Sequence, residues 1–182
     1  MILKVRKSND PILRQPVEKV TDFGHEFQFL LDNMIETMRK NNGVGLAAPQ
    51  VGHNLSLFII KPMPESKTQV FINAKILKIE SSKPLPVAPK AKSSSKLKKG
   101  TPLEGCLSIP RIWSPVKRPD RLLLEYQTIT GEKKTEWFSG FEAIIIQHEV
   151  DHLNGVLFTQ RSLEQNTPLF EEKEGELHKL KY

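Results

Sequence analysis

The chain has 182 residues, a length that suits one domain built around a single hydrophobic core. Hydrophobic residues make up 38% and charged residues 26%, and no segment approaches the ~20 apolar residues that a membrane span needs. The first residues lack the apolar stretch and cleavage site of a secretory signal, so we expect a cytoplasmic protein. Cys106 is the single cysteine, which excludes a fold that depends on an intrachain disulfide.

The net charge of +6 comes from one segment rather than from a binding face. Residues 81–101 are rich in Ser, Lys and Pro and hold six lysines without an acidic residue, which leaves the rest of the chain neutral. Such a segment cannot bury enough apolar surface to offset its ordering entropy, so we predict a flexible insertion within a single domain of residues 1–182. The pattern favours no specific DNA partner, and any RNA contact would have to run through the insertion.

In the first half of the chain, the sequence predicts one helix followed by two strands. Apolar residues recur at helical spacing over residues 23–40, with Asp22 as the cap at the start and Gly43 as the stop. Residues 55–60 form a short apolar run between turn signals, which predicts a strand. Residues 70–80 alternate well enough between apolar and polar side chains to predict a second strand.

In the second half, residues 121–130 and 133–138 predict a β-hairpin with its turn at Gly131. A last helix is predicted within residues 169–181, because glutamates come early and lysines late, as the helix dipole favours. The order of the elements predicts an α+β fold in which mostly antiparallel sheets pack around a buried central helix. It does not fit the regular alternation of a parallel doubly wound sheet.

The clearest helix is predicted at residues 140–153. Ser139 and Glu142 have the S-x-x-E spacing of a capping box, and Asn154-Gly155 predicts a left-handed stop. Apolar residues occur nearly all around this helix, which indicates that it is buried in the core.

This helix carries the sequence His148-Glu149-Val150-Asp151-His152, an H-E-x-x-H pattern. The two histidines are four residues apart, so both imidazoles project from one face and can bind one tetrahedral metal ion. Glu149 is rotated about 100° from His148 and can act as a general base beside the open coordination position. Burying these ionisable groups without partners would be costly, which favours a metal site over a solvated, salt-bridged face.

A catalytic metal site needs a third protein ligand, and two regions offer one. Downstream, Glu164, Glu171 and Glu172 are candidates without a surrounding motif, whereas His178 lies in a charged tail and is expected at the surface. Upstream, Cys106 follows a glycine that lets the backbone approach a metal closely, and a thiolate is a strong ligand for Fe(II) or Zn(II).

Three segments together resemble the motifs of the peptide deformylases. In chain order they are GVGLAAPQ at residues 43–50, EGCLS at residues 104–108 and QHEVDH at residues 147–152. The glycines and alanines of the first motif predict a loop that another group approaches closely. Each motif alone is moderately specific, but all three occur in the family's order, and the likeness covers about residues 1–160.

The resemblance implies a metal-dependent hydrolase that removes the formyl group from N-formylmethionyl nascent peptides and releases formate. It implies Cys106, His148 and His152 as the ligands of one divalent metal ion. The family usually works with Fe(II), and Zn, Ni and Co are the alternatives. Glu149 would then take a proton from the attacking water and return one to the leaving amine.

The resemblance also implies two hydrogen-bond donors for the oxyanion, the side-chain amide of Gln50 and the backbone N–H of Leu107. Trp113 stands where some family members have an arginine, which leaves the anchoring of the peptide backbone open at that position. A transient contact with the ribosome is compatible with the family, but the chain after Leu157 is short for docking through a long helix.

The predicted substrate contacts are Gly45, Val44, Phe141, Ile144 and Ile145. The three helix residues lie on the same face as His148, so with Val44 they can line an apolar pocket that suits an unbranched Met side chain. The backbone of Gly45 and of the region around Ile109 can hold the peptide as an added strand.

Three other functions compete with this interpretation. A metallopeptidase using the same helix would cleave unformylated peptides and would remain active after Cys106→Ser. A non-catalytic metal-containing homologue would have a closed fourth ligand or lack the base, yet Glu149 and Gln50 are both present. An RNA-binding module acting through the insertion would show binding that depends steeply on salt, with aromatic residues among the lysines, and the insertion has none.

Overall fold

The computed structural model describes residues 1–81 and 102–181, and every statement about the fold refers to these residues. The predicted insertion at residues 81–101 therefore lies outside the described residues, apart from its first position. Within the described part of the chain, no helix combines the length and the apolar character needed to cross a membrane.

The described residues form a mixture of helices and strands, as the order of predicted elements indicated. The helices are α1 (His25–Lys40), α2 (Phe141–Leu153) and α3 (Phe158–Glu164), with 3-10 helices at Pro11–Arg14 and Ala48–Val51. The strands are β1 (Gly45–Ala47), β2 (Leu57–Ile60), β3 (Gln69–Glu80), β4 (Glu104–Cys106), β5 (Ile109–Ser114), β6 (Arg121–Gln127), β7 (Lys133–Ser139), β8 (Phe170–Lys173) and β9 (Glu176–Lys179).

The strands form two antiparallel sheets. The first has the order β1-β2-β3-β6-β7 and the second the order β4-β5-β8-β9. The predicted strands at residues 55–60 and 70–80 and the predicted hairpin at residues 121–138 are confirmed, with Gly131 at φ +78° in the turn. The predicted α+β class with mostly antiparallel sheets is likewise confirmed.

The core lies on both sides of the first sheet. Alternate residues of β2 belong to different apolar clusters, Phe58 and Ile60 to the one that contains α2, and Leu57 and Ile59 to the one that contains α1. Both faces of this strand are buried, which explains why its sequence is apolar throughout rather than alternating. The α2 helix is thereby buried against the sheet, as predicted.

The α1 helix differs from its prediction at both ends. Its N-cap is Gly24, which makes no side-chain cap, while Asp22 instead accepts a hydrogen bond from the Gly24 N–H in a turn before the helix. At the other end Asn42, at φ +52°, takes the left-handed position, and the Gly43 N–H donates to the Met38 carbonyl. Asn tolerates this conformation because its short polar side chain suits it, so glycine is not needed there.

The α2 helix begins without the predicted capping box. Ser139 is still part of β7, Gly140 at φ +63° makes the turn, and the carboxylate of Glu142 accepts a hydrogen bond from Gln69 instead. The predicted stop is confirmed, since Gly155 adopts φ +69° and the following N–H bonds back to the last turn.

The predicted last helix at residues 169–181 is wrong, because β8 and β9 form a β-hairpin there. Glu174 and Gly175 have φ of +51° and +81°, the pattern of a tight hairpin turn that a helix cannot accommodate. The hairpin also pairs with β5, where Phe170 is buried opposite Trp113. Tertiary pairing therefore outweighs the charge pattern on which the helix prediction depended.

The Gly155 turn gives a test of how tightly the chain packs behind α2. A Cβ atom on Gly155 would lie 2.8 Å from the backbone C and O of Arg14, whereas one on Gly175 would meet nothing within 4 Å. At both positions an alanine would have to adopt a left-handed conformation, which costs about 1–2 kcal/mol. We expect Gly155→Ala to lower the free energy of unfolding by at least ~1 kcal/mol more than Gly175→Ala in urea denaturation. Equal losses would contradict the close contact with Arg14.

Candidate metal centre and active site

Cys106, at the end of β4, converges with two histidines of α2. One ligand atom from each of Cys106, His148 and His152 lies within 4.8 Å of the others. The Sγ atom of Cys106 is 3.2 Å from Nε2 of His152, and the two imidazole centroids are 5.0 Å apart. The i, i+4 spacing thus places the two rings on successive turns of one helix face, and the sulfur lies on the neighbouring strand β4.

This cluster has the chemistry of a metal site. One thiolate and two imidazoles suit a divalent ion such as Fe(II) or Zn(II), and both histidines are buried. Burial opposes ionisation of the thiol, but His152 and His148 outweigh it and hold the pKa of Cys106 well below its ordinary value. A sulfur that ionises this readily in a buried position fits a cation, so these residues are a candidate metal site.

Glu149 lies beside the cluster with its carboxylate buried. The residue is 3% exposed, and its Oε2 has no hydrogen-bond partner among the described residues. Burial raises the pKa of Glu149 to about 7, although His148 and His152 oppose that shift. A carboxyl group with a free oxygen and a pKa near neutrality can take up and return a proton at the cluster.

The first strand passes so close to Glu149 that only glycine fits at position 45. A Cβ atom on Gly45 would lie 2.8 Å from Cδ of Glu149, closer still to its Oε1, and 3.0 Å from Cγ2 of Ile145. The close approach predicted for this segment is therefore present. The predicted loop, however, is wrong, because the residues form strand β1 followed by the 3-10 helix Ala48–Val51.

The Gln50 side chain connects the first motif to the cysteine segment. Its Oε1 accepts a hydrogen bond from the Ala47 N–H at 2.8 Å, which turns Nε2 towards the cluster. Nε2 donates to Oγ of Ser108 at 3.2 Å and to Sγ of Cys106 at 3.3 Å. The side-chain amide is therefore held by the backbone of its own segment and presents its N–H groups beside the sulfur.

An N-terminal segment at residues 6–8 ties the same two motifs together through the backbone. The Arg6 N–H donates to the Gln50 carbonyl at 2.7 Å, and the Ser8 N–H donates to the Ser108 carbonyl at 3.1 Å. No residue pattern indicates this role, because extended backbone contacts leave little trace in residue type. The segment contributes to the site by fixing the distance between its two halves.

A buried ionic network stands behind the histidines. Nδ1 of His148 donates to Glu104 Oε1 at 2.6 Å, and Arg118 forms a two-pronged pair with the same carboxylate at 2.7 Å. Arg118 also donates to Asp151 at 2.9 Å, and Asp151 accepts a further bond from Arg161 at 2.7 Å. Burial alone would raise the pKa of Glu104, but the bonds from Arg118 and His148 hold it at about 2.

This network sets the orientation of His148. Because the Glu104 carboxylate can only accept, it holds the proton of His148 on Nδ1 and leaves Nε2 free for a ligand bond. Partners of this kind orient metal-binding histidines and raise their basicity. Neither Arg118 nor the role of Glu104 was predicted, since no local pattern shows that Arg118, in the connection between β5 and β6, reaches Glu104 and Asp151.

None of the downstream candidates for a third ligand joins the cluster within the described residues. Glu164 pairs with an arginine of its own helix, and Glu171 pairs with a lysine of β8. Glu172 accepts a hydrogen bond from the indole of Trp113, and His178 is exposed on β9, as predicted. Cys106 is therefore the third residue that the fold brings to the two histidines.

The predicted substrate contacts occupy different depths around the site. Ile145 is buried and lies against Gly45, and Ile144 is half-buried. Phe141 and Val44 are 52% and 42% exposed, so their side chains are accessible to a ligand. Phe141 is the first residue of α2, the helix that carries both histidines, and Val44 directly precedes β1, which passes close to Glu149.

Comparison with known proteins agrees with this geometry. The family model for polypeptide deformylase matches residues 2–167. A peptide deformylase of Dictyoglomus turgidum is 38% identical over 173 residues, which is 95% of this chain and 100% of that protein. The chain belongs to the polypeptide deformylase family.

Solved peptide deformylases share this fold. The Thermotoga maritima enzyme superposes with a TM-score of 0.74 at 35% identity, covering 88% of this chain and 97% of that one. A class I type b peptide deformylase of Acinetobacter baumannii, with Met-Ala-Ser bound, has a TM-score of 0.75 at 34% identity over 88% of this chain and 98% of that one.

This deformylase is accordingly a metal-dependent hydrolase that removes the N-terminal formyl group from nascent polypeptides. The metallopeptidase, the non-catalytic homologue and the RNA-binding module considered from the sequence have no support from these comparisons.

The ionic network of the deformylase predicts an unequal effect of its two arginines on stability. Arg118→Met leaves two carboxylates buried without their shared cation, so we expect the free energy of unfolding to fall by about 3–5 kcal/mol. Arg161 is 37% exposed and Asp151 keeps its other partner, so Arg161→Met should cost only about 0–1 kcal/mol. Urea denaturation of both variants measures the difference, and similar losses would contradict a shared buried cation.

Proposed function

We propose that Cys106, His148 and His152 hold one divalent metal ion and that Glu149 is the general base of the deformylation reaction. The observation that carries this proposal is the set of three ligand atoms within 4.8 Å of one another, next to a buried carboxylate oxygen that has no hydrogen-bond partner in the described part of the chain. The thiolate and the preference of the family favour Fe(II), with Zn, Ni or Co as alternatives.

When bound, the ion supplies Lewis acidity, which makes water a nucleophile near neutral pH and polarises the formyl carbonyl. Glu149 accepts the proton that this water loses as its oxygen attacks the formyl carbon. The same carboxylic acid then returns a proton to the nitrogen of the departing α-amine, and formate is released. One residue thus acts as base and then as acid, which suits a pKa of about 7.

Two donors of the chain are placed to stabilise the charge that develops on the formyl oxygen. The Gln50 Nε2 group lies beside Cys106, and the Leu107 N–H follows the same cysteine in the β4–β5 turn. Because the Ala47 N–H already holds Gln50 Oε1, the amide stays oriented while Nε2 exchanges one of its bonds, to Ser108 or Cys106, for a bond to the formyl oxygen.

The peptide is proposed to bind as an added strand between two sheet edges. β1 and β4 each end their sheet, and they carry Gly45 and Cys106 respectively. Val44, Phe141, Ile144 and Ile145 would then contact the N-terminal Met side chain. The Acinetobacter baumannii relative with bound Met-Ala-Ser supports a peptide of this composition.

A cytoplasmic location and a transient ribosome contact stay predictions from the sequence. Binding assays with purified ribosomes would measure the contact, and fractionation of the source cells would measure the location.

The proposed activity is tested by comparing formyl-Met-Ala-Ser with unformylated Met-Ala-Ser after anaerobic purification and metal analysis. We expect formate from the first peptide and no cleavage of the second. Cleavage of Met-Ala-Ser would favour the metallopeptidase instead.

The Glu149→Ala variant is expected to keep its metal and to lose turnover by about 10²–10⁴-fold, because it removes the group that transfers the proton. Glu142→Ala is the matched control, since Glu142 is also an acid of α2 but bonds Gln69 instead of the cluster. Formate release and metal content are measured for both. Activity like that of the wild type in Glu149→Ala would refute the assigned base.

The Gln50→Glu variant tests the oxyanion donor. It keeps an acceptor for the Ala47 N–H but replaces the Nε2 donor with a negative oxygen, so kcat should fall by about 10²–10³-fold. Metal content and KM are measured alongside kcat. A change in KM with kcat intact would assign Gln50 to substrate binding alone.

A further inference from the structure

Strand β5, which follows Cys106 after a tight turn, contains a bulge. Gly105 pairs with Trp113, but the next residue, Cys106, pairs with Ile109, so Pro110, Arg111 and Ile112 have no counterpart on β4. Arg111 in this bulge has φ +64°, a left-handed conformation that costs a non-glycine residue about 1–2 kcal/mol. Such strain persists only where the surroundings enforce it, and bulges near active sites commonly aim a side chain.

The C-terminal hairpin supplies the groups that hold this bulge. The Glu172 carbonyl accepts a hydrogen bond from Arg111 Nε at 2.8 Å, and its carboxylate accepts one from the Trp113 indole N–H at 2.9 Å. One residue of β8 therefore bonds both the strained residue and the residue that ends the bulge. The hairpin lies beyond residue 167, where the match to the family model ends.

The Trp113 ring links these bonds to the cysteine strand. A Cβ atom on Gly105 would lie 2.7 Å from Cζ3 and 2.8 Å from Cε3 of Trp113, so the ring covers the bare backbone of the residue before Cys106. Successive residues of a strand point to opposite faces of the sheet. Glu104 and Cys106 face α2, so Gly105 between them faces the other side. The ring thus supports β4 from behind, while the cluster lies in front.

We propose that Glu172 is a positioning residue for the metal centre. Its carboxylate fixes the Trp113 ring, which supports β4 so that Sγ of Cys106 faces the two histidines. Its backbone carbonyl holds the β5 bulge, a contact that every side-chain variant of Glu172 retains. This role depends on the proposed metal site, because it acts through Cys106. It also gives a function to Trp113, which stands where some family members have an arginine.

The test uses the full-length protein loaded with Co(II), whose thiolate-to-metal charge-transfer absorption reports directly on the Cys106–metal bond. We expect Glu172→Ala to alter this absorption and to speed metal release to a chelator by about tenfold, as for other residues that orient metal ligands. Glu172→Gln retains an acceptor oxygen for the indole and should restore most of the wild-type behaviour. Trp113→Phe should behave like Glu172→Ala, and the double variant should add little to either.

Glu171→Ala is the matched control. Glu171 is the neighbouring acid of the same strand, but its carboxylate pairs only with Lys173 in the described structure, so absorption and metal release should equal those of the wild type. Thermal unfolding of each metal-free variant separates a loss of stability from a change at the metal.

The proposal is overturned if Glu172→Ala lowers the melting temperature but leaves the absorption and the release rate unchanged, since Glu172 would then only stabilise the fold. It is also overturned if Glu172→Ala changes the absorption and the release rate while Trp113→Phe changes neither.

The Cys106→Ala variant separates a failure of the metal site from a failure of the positioning role. Suppose that the wild type shows the absorption and Cys106→Ala abolishes it. If Glu172→Ala then leaves the absorption and the rate of metal release unchanged, the positioning role is refuted while the metal site stands. If Cys106→Ala retains both metal and absorption, the metal site itself fails.

Discussion

The burial of charge on α2 is the constraint on which the rest of the site depends. His148, Glu149, Asp151 and His152 are all buried on a helix that packs against an apolar sheet. Each of these groups needs compensation, because an isolated charge in a protein interior is costly. The fold supplies it unevenly, with Asp151 held by two arginines and His148 by Glu104. Among the described residues, Glu149 Oε2 and His152 Nδ1 have no hydrogen-bond partner, and Glu149 is the group to which we assign the proton transfer.

The sequence predicted the parts of the site that depend on local geometry. The spacing of the two histidines, the burial of α2 and its stop at Gly155 all follow from residues near one another in the chain. Four strands of the first sheet, β2, β3, β6 and β7, were predicted for the same reason, whereas β1 was expected to be a loop. Cys106 required the family resemblance, because a lone cysteine 42 residues before His148 carries no sign of where the fold will place it.

The parts that could not be predicted depend on pairing between distant segments. Arg118 is one of seven arginines in the sequence, and only the folded chain brings it to Glu104 and Asp151. The C-terminal hairpin was misread as a helix because its charges suit a helix dipole, while its pairing with β5 is invisible along the chain. The capping box at Ser139 failed for a related reason, since sheet pairing keeps that residue in β7.

Strand β2 has a consequence for how the enzyme would respond to its metal. Its two faces belong to two different apolar clusters, so the cluster on the α1 side and the cluster on the α2 side both pack against this one strand. Neither side can open alone without exposing part of the other, which favours a single cooperative unit. An ion that binds only the folded state would therefore stabilise the distant α1 helix as much as the helix that holds it. A good supply of the metal would then lengthen the lifetime of the whole folded chain.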